Sequence, residues 1–279
     1  MRPIRSLLFA PANRPELLQK FPRYPADGFV IDLEDGTPEA EKDSARRALP
    51  QIVASLRNQG LKKQLFIRTN SPQSKHVQAD LATTNEMPID GIVVPKIESV
   101  EDLIGFKSAA QIIGIIETGR GVMNVETIAQ GANPHLVALA FGAEDFITDV
   151  GGQRSTDGLE VLYARSRVVL AARVAGIQAL DQVFVNIRDD ETFLHDAELG
   201  RNLGYSGKMC IVPRQVEIAN AVFSPSADEI DRSQRLIEEY ERAQAQGRGA
   251  IEFEGSMVDE PLLKRARTIL QLAAEIENG

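Results

Sequence analysis

LVALAFGAED (Leu136–Asp145) is an apolar run that stops at a glycine and two acids, and the same grammar recurs along the chain. FVIDLED (Phe29–Asp35), LFIRTN (Leu65–Asn70), IVVPKIE (Ile92–Glu98), IIGIIET (Ile112–Thr118) and VFVNIRD (Val183–Asp189) also end in charge. SLLFAP (Ser6–Pro11) precedes this series and KMCIVP (Lys208–Pro213) follows it. Short apolar runs of this length read as buried strands of a parallel sheet. Charge gathered at their carboxyl ends makes a polar mouth, where the active sites of parallel α/β folds lie.

Segments of helical periodicity separate the runs: Pro38–Gly60 (with Pro50 interrupting or dividing it), Ser74–Met87, Ser99–Ala109, Asp157–Gly176, Asp190–Gly204 and Arg214–Phe223. Gly119-Arg120-Gly121 and Gly151-Gly152 read as loops. Strand and helix in alternation require right-handed crossovers, and eight strands favour closure. The expected fold is therefore α/β, a (β/α)8 TIM barrel over residues 1–223, which the 279-residue chain accommodates. Residues 224–279 are expected to form a C-terminal helical extension or lid. It comprises a charge-rich helix from about Ser226 to Gln246, a short IEFEG (Ile251–Gly255) and a helix from about Glu260 to Ile276.

Composition narrows the function classes. The net charge of −9 comes without a long basic run, which argues against nucleic acid and anionic membrane as partners. No run reaches the ~20 apolar residues of a membrane helix. The start MRPIRSLLFAPA mimics a signal peptide, but its apolar stretch is too short and serves better as the first strand. The single cysteine, Cys210, sits inside an apolar run and reads as a buried, inert thiol. One cysteine also suits a reducing compartment, so a cytoplasmic location is expected. His76, His135 and His195 have no zinc-ligand spacing.

Glu117 and Asp145 close the fifth and sixth runs. Neighbouring parallel strands lie about 4.8 Å apart, so the two carboxylates can converge. Singly, each reads as a helix cap or as a partner of Arg120 or Arg68. As a pair beside the acids of the second run, they read as ligands of a hard divalent ion such as Mg2+, which takes one or two protein carboxylates. Asp32 and Glu34 fall on one strand face, with Asp35 opposite or in the turn. These three either orient ion-bound water or simply begin a solvated loop. Arg68 offers a planar fork to a carboxylate or enolate oxygen, or to the surrounding acids. Lys96 has the chemistry for a Schiff base, but neighbouring acids would keep its amine protonated, so a salt bridge is expected.

Taken in order, LLFAPANRPE, FVIDLEDGTP, LFIRTNS, VVPKIES, IIETGRGVMN, LAFGAEDF, DVGG and GKMCIVPRQ resemble the citrate lyase β-subunit (CitE-like) and malyl-CoA lyase branch of the HpcH/HpaI aldolase superfamily. The resemblance implies Mg2+ on Glu117 and Asp145, with Arg68 and Glu117 against the substrate. It places Arg14 and Lys20 near CoA, although an ordinary helix surface explains them equally. GSMVDEP (Gly255–Pro261) resembles a lid motif whose aspartate, here Asp259, reaches a neighbouring subunit's site. Asp259 also reads as a plain helix cap. Relatives of this kind are usually trimers or dimers of trimers, so a homotrimer or hexamer is implied.

The expected activity is Mg2+-dependent cleavage of a citryl-CoA or malyl-CoA type thioester. It would yield an acetyl thioester and a small 2-keto acid, oxaloacetate or glyoxylate, from a CoA or acyl-carrier thioester. Arg68 and the ion would stabilise oxyanions, and Asp259 would protonate the enolate. Two alternatives are a CoA-independent aldolase of hydroxy-keto acids and a non-catalytic subunit of a larger lyase complex.

Overall fold

Eight strands, each followed by a return path on the outside, make up the first of two compact units, Ile4–Ala221. The computed structural model describes residues 2–106, 110–131, 133–247 and 249–277. In chain order its elements are β1 (Ser6–Pro11), α1 (Pro15–Leu18), β2 (Gly28–Asp32), α2 (Lys42–Asn58), β3 (Gln64–Arg68), α3 (Val77–Thr84), β4 (Gly91–Val94) and β5 (Ile112–Ile116). There follow α4 (Gly119–Gln130), β6 (Leu136–Phe141), α5 (Ala143–Val150), α6 (Leu159–Ala175), β7 (Gln178–Asp181), α7 (Asp190–Leu203), β8 (Gly207–Cys210) and α8 (Pro213–Val222). Strands β1 to β8 are parallel, pair in sequence order, and close through β1 with β8. The expected (β/α)8 barrel is present.

Period-two alternation sorts each strand into a barrel-filling face and a helix-facing face. The barrel interior contains Leu7, Val30, Phe66, Val93, Ile113, Ile115, Ala138, Ala140, Leu180 and Met209. Two residues beyond Val30, Phe66 and Ile115 along the chain stand Asp32, Arg68 and Glu117. The parity that fills the barrel with apolar side chains therefore turns these three charged ones inward at its carboxyl rim. Asp32 and Arg68 are also direct register partners across β2 and β3.

Several expectations are corrected. The seventh strand is Gln178–Asp181; Val183–Asp189 is an irregular loop with Val185 and Ile187 exposed. Its aromatic and β-branched composition suggested a strand, whereas the true strand ends in a buried charge, Asp181. Gly119-Arg120-Gly121 is not a loop but the first turn of α4, capped by Thr118, whose side chain accepts the Gly121 N–H. Pro50 does not divide α2, because it faces solvent, where water can satisfy the carbonyl that its missing N–H leaves free. The expected helix Ser99–Ala109 is a 3-10 helix over Glu101–Phe106, and Lys107–Ala109 lie outside the described residues. Strand β4 stops at Val94, so Lys96 lies beyond it, with a positive φ of 52°.

The second unit consists of Met1–Pro3 and Val222–Gly279. It contains α9 (Ala227–Gln244), an antiparallel hairpin of β9 (Ile251–Phe253) and β10 (Ser256–Val258), and α10 (Glu260–Glu277). A reciprocal capping box between Ser226 and Glu229 starts α9. Leu236, Tyr240, Ile251, Phe253, Val258 and Leu263 form this unit's own core. Among the described residues no helix is long and apolar enough to cross a membrane.

Candidate active site

Strand ends and the loops after them enclose a cavity of about 450 Å³. Asp32, Asp35, Arg68, Glu117, Glu144 and Asp145 all line it. Sequence reasoning thus selected five of these six, but misplaced one: Asp145 belongs to the first turn of α5, not to a strand end. The residue that follows β6, caps α5 and faces Glu117 is Gly142. A Cβ there would stand 2.4 Å from Glu117 Oε2, so only glycine leaves room for the carboxylate.

The anchor is a buried ion pair. Arg68 donates Nε to Asp32 Oδ1 at 2.7 Å and NH2 to Oδ2 at 2.6 Å, a bidentate fork. Asp32 also accepts the backbone N–H of Glu34 and of Gly36, each at 2.9 Å. Burial alone would raise the Asp32 pKa, but the Arg68 charge and these donors hold it below the ordinary carboxylate range. With four N–H groups on its two oxygens, Asp32 fixes Arg68 and the loop. Burial would lower the Arg68 pKa, yet the acids around it, Asp32 above all, push it still higher. The guanidinium also lies over the Phe9 ring, 5.6 Å from its centroid.

Glu34 and Glu117 differ in kind from Asp32. Glu34 Oε2 faces Arg68 NH1 at 3.0 Å, and Oε1 accepts Lys96 Nζ at 2.7 Å. Desolvation nevertheless raises Glu34 to about 7, with the Asp35 charge adding to it and Arg68 and Lys96 opposing. Glu117 accepts the Lys96 backbone N–H on Oε1 at 2.9 Å, which uses the left-handed turn at Lys96. Desolvation, reinforced by the Glu34 and Asp145 charges, pushes Glu117 up to about 8. The Lys96 ammonium stands 3.3 Å from Asp145 Oδ2 and 3.5 Å from Asp35 Oδ2, the salt bridge expected in place of Schiff-base chemistry.

These features point to a shortage of positive charge at the rim. Among the described residues, no group of three or more His, Cys, Asp or Glu side chains is arranged to hold an ion. A Mg2+ site needs fewer, since one or two carboxylates suffice when water and substrate complete the octahedron. Glu117, desolvated among like charges and cradled against Gly142, together with Asp145 on the same wall, fits that donor set.

Arg14 and Lys20 are exposed, neither lines the cavity, and Arg14 pairs with Glu16. In the second unit Asp259 is exposed, and its carbonyl accepts the Leu263 N–H at the start of α10. Sequence reasoning missed a buried network on β7 and β8. Asp181 accepts from Arg165 at 2.6 Å and from Lys208 at 3.0 Å, and Lys208 also reaches Asp196 at 2.6 Å. Charged residues inside the short strands QALD and GKMC were the available signal, because a buried charge needs a partner. Cys210 is fully buried, and its thiol is pushed up to about 12 by burial, as an inert thiol requires.

A profile of the HpcH/HpaI aldolase/citrate lyase family matches residues 5–213, the barrel that carries this site. The chain belongs to this family. It is 44% identical over 277 residues to the citrate lyase subunit beta-like protein of Deinococcus radiodurans, covering 96% of both chains. It is 32% identical to the mitochondrial citramalyl-CoA lyase of Homo sapiens, covering 99% of this chain and 87% of that one. The fold of CitE from Mycobacterium tuberculosis, solved with magnesium, acetoacetate and coenzyme A, superposes with a TM-score of 0.84. That match has 31% identity and covers 98% of each chain. Among HpcH/HpaI aldolase/citrate lyase proteins, these similarities extend past residue 213 and so include the second unit.

Proposed function

We propose that this chain is a Mg2+-dependent carbon–carbon lyase that cleaves a 3-hydroxyacyl thioester carrying a carboxylate into an acetyl thioester and a 2-keto acid. The observation that carries the reading is Glu117, buried beside Arg68 and Asp145 in the barrel mouth with its carboxyl pushed up to about 8. The magnesium, acetoacetate and coenzyme A bound by the Mycobacterium tuberculosis protein support the cofactor and the thioester.

Glu117 and Asp145 would hold the ion. Bound Mg2+ supplies a Lewis acid that polarises substrate oxygens. Arg68, locked by Asp32, directs its remaining N–H donors at charge developing on oxygen, and its rigidity spares reorganisation during the reaction. Glu34 and Asp35 hold the Lys96 ammonium beside Asp145, which offsets part of the negative charge at the rim. Apolar walls from Phe9, Ile115 and Met209 limit water around the enolate. As the carbon–carbon bond breaks, the substrate hydroxyl gives up its proton to water at the barrel mouth, the bonding pair passes to the thioester enolate, and the enolate carbon then takes a proton. The exposed Asp259 is suited to deliver it to a neighbouring subunit. That role goes with a homotrimer or hexamer, and Arg14 and Lys20 would meet the anionic part of CoA or an acyl carrier. A cytoplasmic setting suits the lone reduced Cys210.

Calorimetric Mg2+ titration of Asp145→Ala tests the coordination. We expect at least a tenfold loss of affinity, and an unchanged value contradicts it.

A further inference from the structure

We propose that the outer face of α6 is a twofold contact with a second copy of this chain, in which α6 lies antiparallel to its mate. No residue of α6 lines the cavity of the candidate site, and the inference does not rest on the lyase reading. It does decide between the two assemblies proposed alongside that reading.

A helix on the outside of a barrel needs one apolar stripe, the one that faces the strands. Among the described residues α2, α3 and α8 keep to this rule and expose no large apolar side chain. Helix α6 does not. Its inner face buries Val161, Ala164, Val168 and Ala172. On the outside Leu159 and Tyr163 are each 66% exposed, Leu170 64% and Val174 72%. These four follow one another at spacings of four, seven and four residues, which places them in a single second stripe. Met123 of α4, 63% exposed, borders it. Large apolar side chains gathered in this way mark a surface that another protein covers, and a helix apolar on both sides is buried on both.

The charge within the stripe is already satisfied inside the chain. Arg167 pairs with Glu126 at 2.6 Å, and its side chain is only 16% exposed. Its guanidinium lies over the Tyr163 ring, 5.9 Å from the centroid, and its NH1 stands 3.3 Å from the Tyr163 hydroxyl and 3.8 Å from Met123 Sδ. A partner therefore has no charge to neutralise and needs an apolar face of matching pattern.

The spacing identifies that partner. Four, seven, four reads the same from either end of the helix, with its midpoint between Ser166 and Arg167. A twofold axis through this midpoint sets Leu159 against Val174 of the second copy and Tyr163 against its Leu170, and each pairing occurs twice. This is the self-complementarity that an isologous contact requires. Ser166, the small residue beside the axis, lets the two helices approach to the ordinary interaxial distance of about 8–10 Å. Twofold contacts close after two copies, so this face alone makes a dimer. Combined with a threefold contact it makes the hexamer and not the trimer.

Sedimentation velocity of the full-length protein at micromolar concentration tests the proposal. We expect an even number of copies. Leu170→Asp, which sets a carboxylate against Tyr163 of the second copy, should halve the mass, from hexamer to trimer or from dimer to monomer, with an unchanged circular dichroism spectrum. Ser166→Cys places two thiols beside the axis within disulfide reach. With oxidised glutathione it should yield a linked dimer on non-reducing gels, whereas Ala54→Cys on the exposed side of α2 should not. The native Cys210 is fully buried and does not compete. A monomer or a trimer of the unaltered protein, or an unchanged mass in folded Leu170→Asp, overturns the inference. So does cross-linking of Ser166→Cys no greater than that of Ala54→Cys, which decides the question should Leu170→Asp fail to fold. Turnover of thioesters decides the lyase reading separately.

Discussion

Replacing Gly142 by alanine should cost the protein its metal ion while leaving the fold in place. Gly142 has φ −102° and ψ 98°, backbone that any residue adopts, so the substitution carries no conformational penalty of its own. Its effect is steric. The new Cβ would lie 2.4 Å from Glu117 Oε2 and 2.7 Å from Glu117 Cβ, about 1 Å inside ordinary contact. The carboxylate must therefore move by most of an ångström, whereas Mg2+ holds its oxygens at about 2.1 Å and tolerates changes of roughly 0.2 Å. Disturbing an outer-shell partner of a ligand already costs about 10–100-fold in affinity, or roughly 1.4–2.7 kcal/mol, so displacing the ligand itself should cost at least tenfold. Overpacking would destabilise the fold by about 1–3 kcal/mol, a fall of several degrees in Tm. Calorimetric Mg2+ titration, or Mn2+ titration followed by electron paramagnetic resonance, reads the first quantity, and thermal unfolding followed by circular dichroism reads the second. Normal ion affinity in folded Gly142→Ala would refute the placement of the ion at Glu117.

Two further outcomes follow from the buried charges. Because the Glu117 pKa is raised from 4.5 to about 8, its contribution to stability is fully present below about pH 4.5 and is lost as pH rises through about 8. The metal-free protein should therefore lose roughly 2–3 kcal/mol between pH 6 and pH 9 in urea unfolding, and Glu117→Gln should flatten this slope. Added Mg2+ should stabilise more at pH 9 than at pH 6, and a pH-independent increment would count against Glu117 as a ligand. Asp181→Ala, which leaves Arg165 and Lys208 with Asp196 as their remaining carboxylate, should destabilise by about 1.5–3 kcal/mol in the same unfolding assay. A loss under 1 kcal/mol would mean that the network is idle.

Much of this architecture was legible because strand parity and function share one pattern. The run that buries Val30 and Phe66 in the barrel necessarily turns Asp32 and Arg68 to the same interior, so fold and site were read together. Glu117 was legible as the acid that closes the fifth run, and it falls on the barrel-filling face two residues beyond Ile115. The reading failed where composition and burial part company. Val183–Asp189 has strand-like residues but runs outside the sheet, while Gln178–Asp181 has a polar look because its buried aspartate is paired from α6 and β8. Such pairing is a tertiary fact with no local trace. Gly142 was equally silent, since its importance lies in an oxygen contributed by a residue 25 positions earlier. The first turn of α4 was hidden by two glycines, which disfavour a helix interior but are tolerated behind a threonine cap.

The seam between β7 and β8 has a shorter ladder than most others in the barrel, pairing Leu180 with Gly207 and Asp181 with Lys208. It is there that Arg165, Asp181, Lys208 and Asp196 interlock. A slip by one residue would turn these charges to the other face of the sheet, away from their partners, so they match in a single alignment. The ring is thus latched at its thinnest joint by groups that reject a mis-threaded closure, which keeps the distant rim residues at a common height.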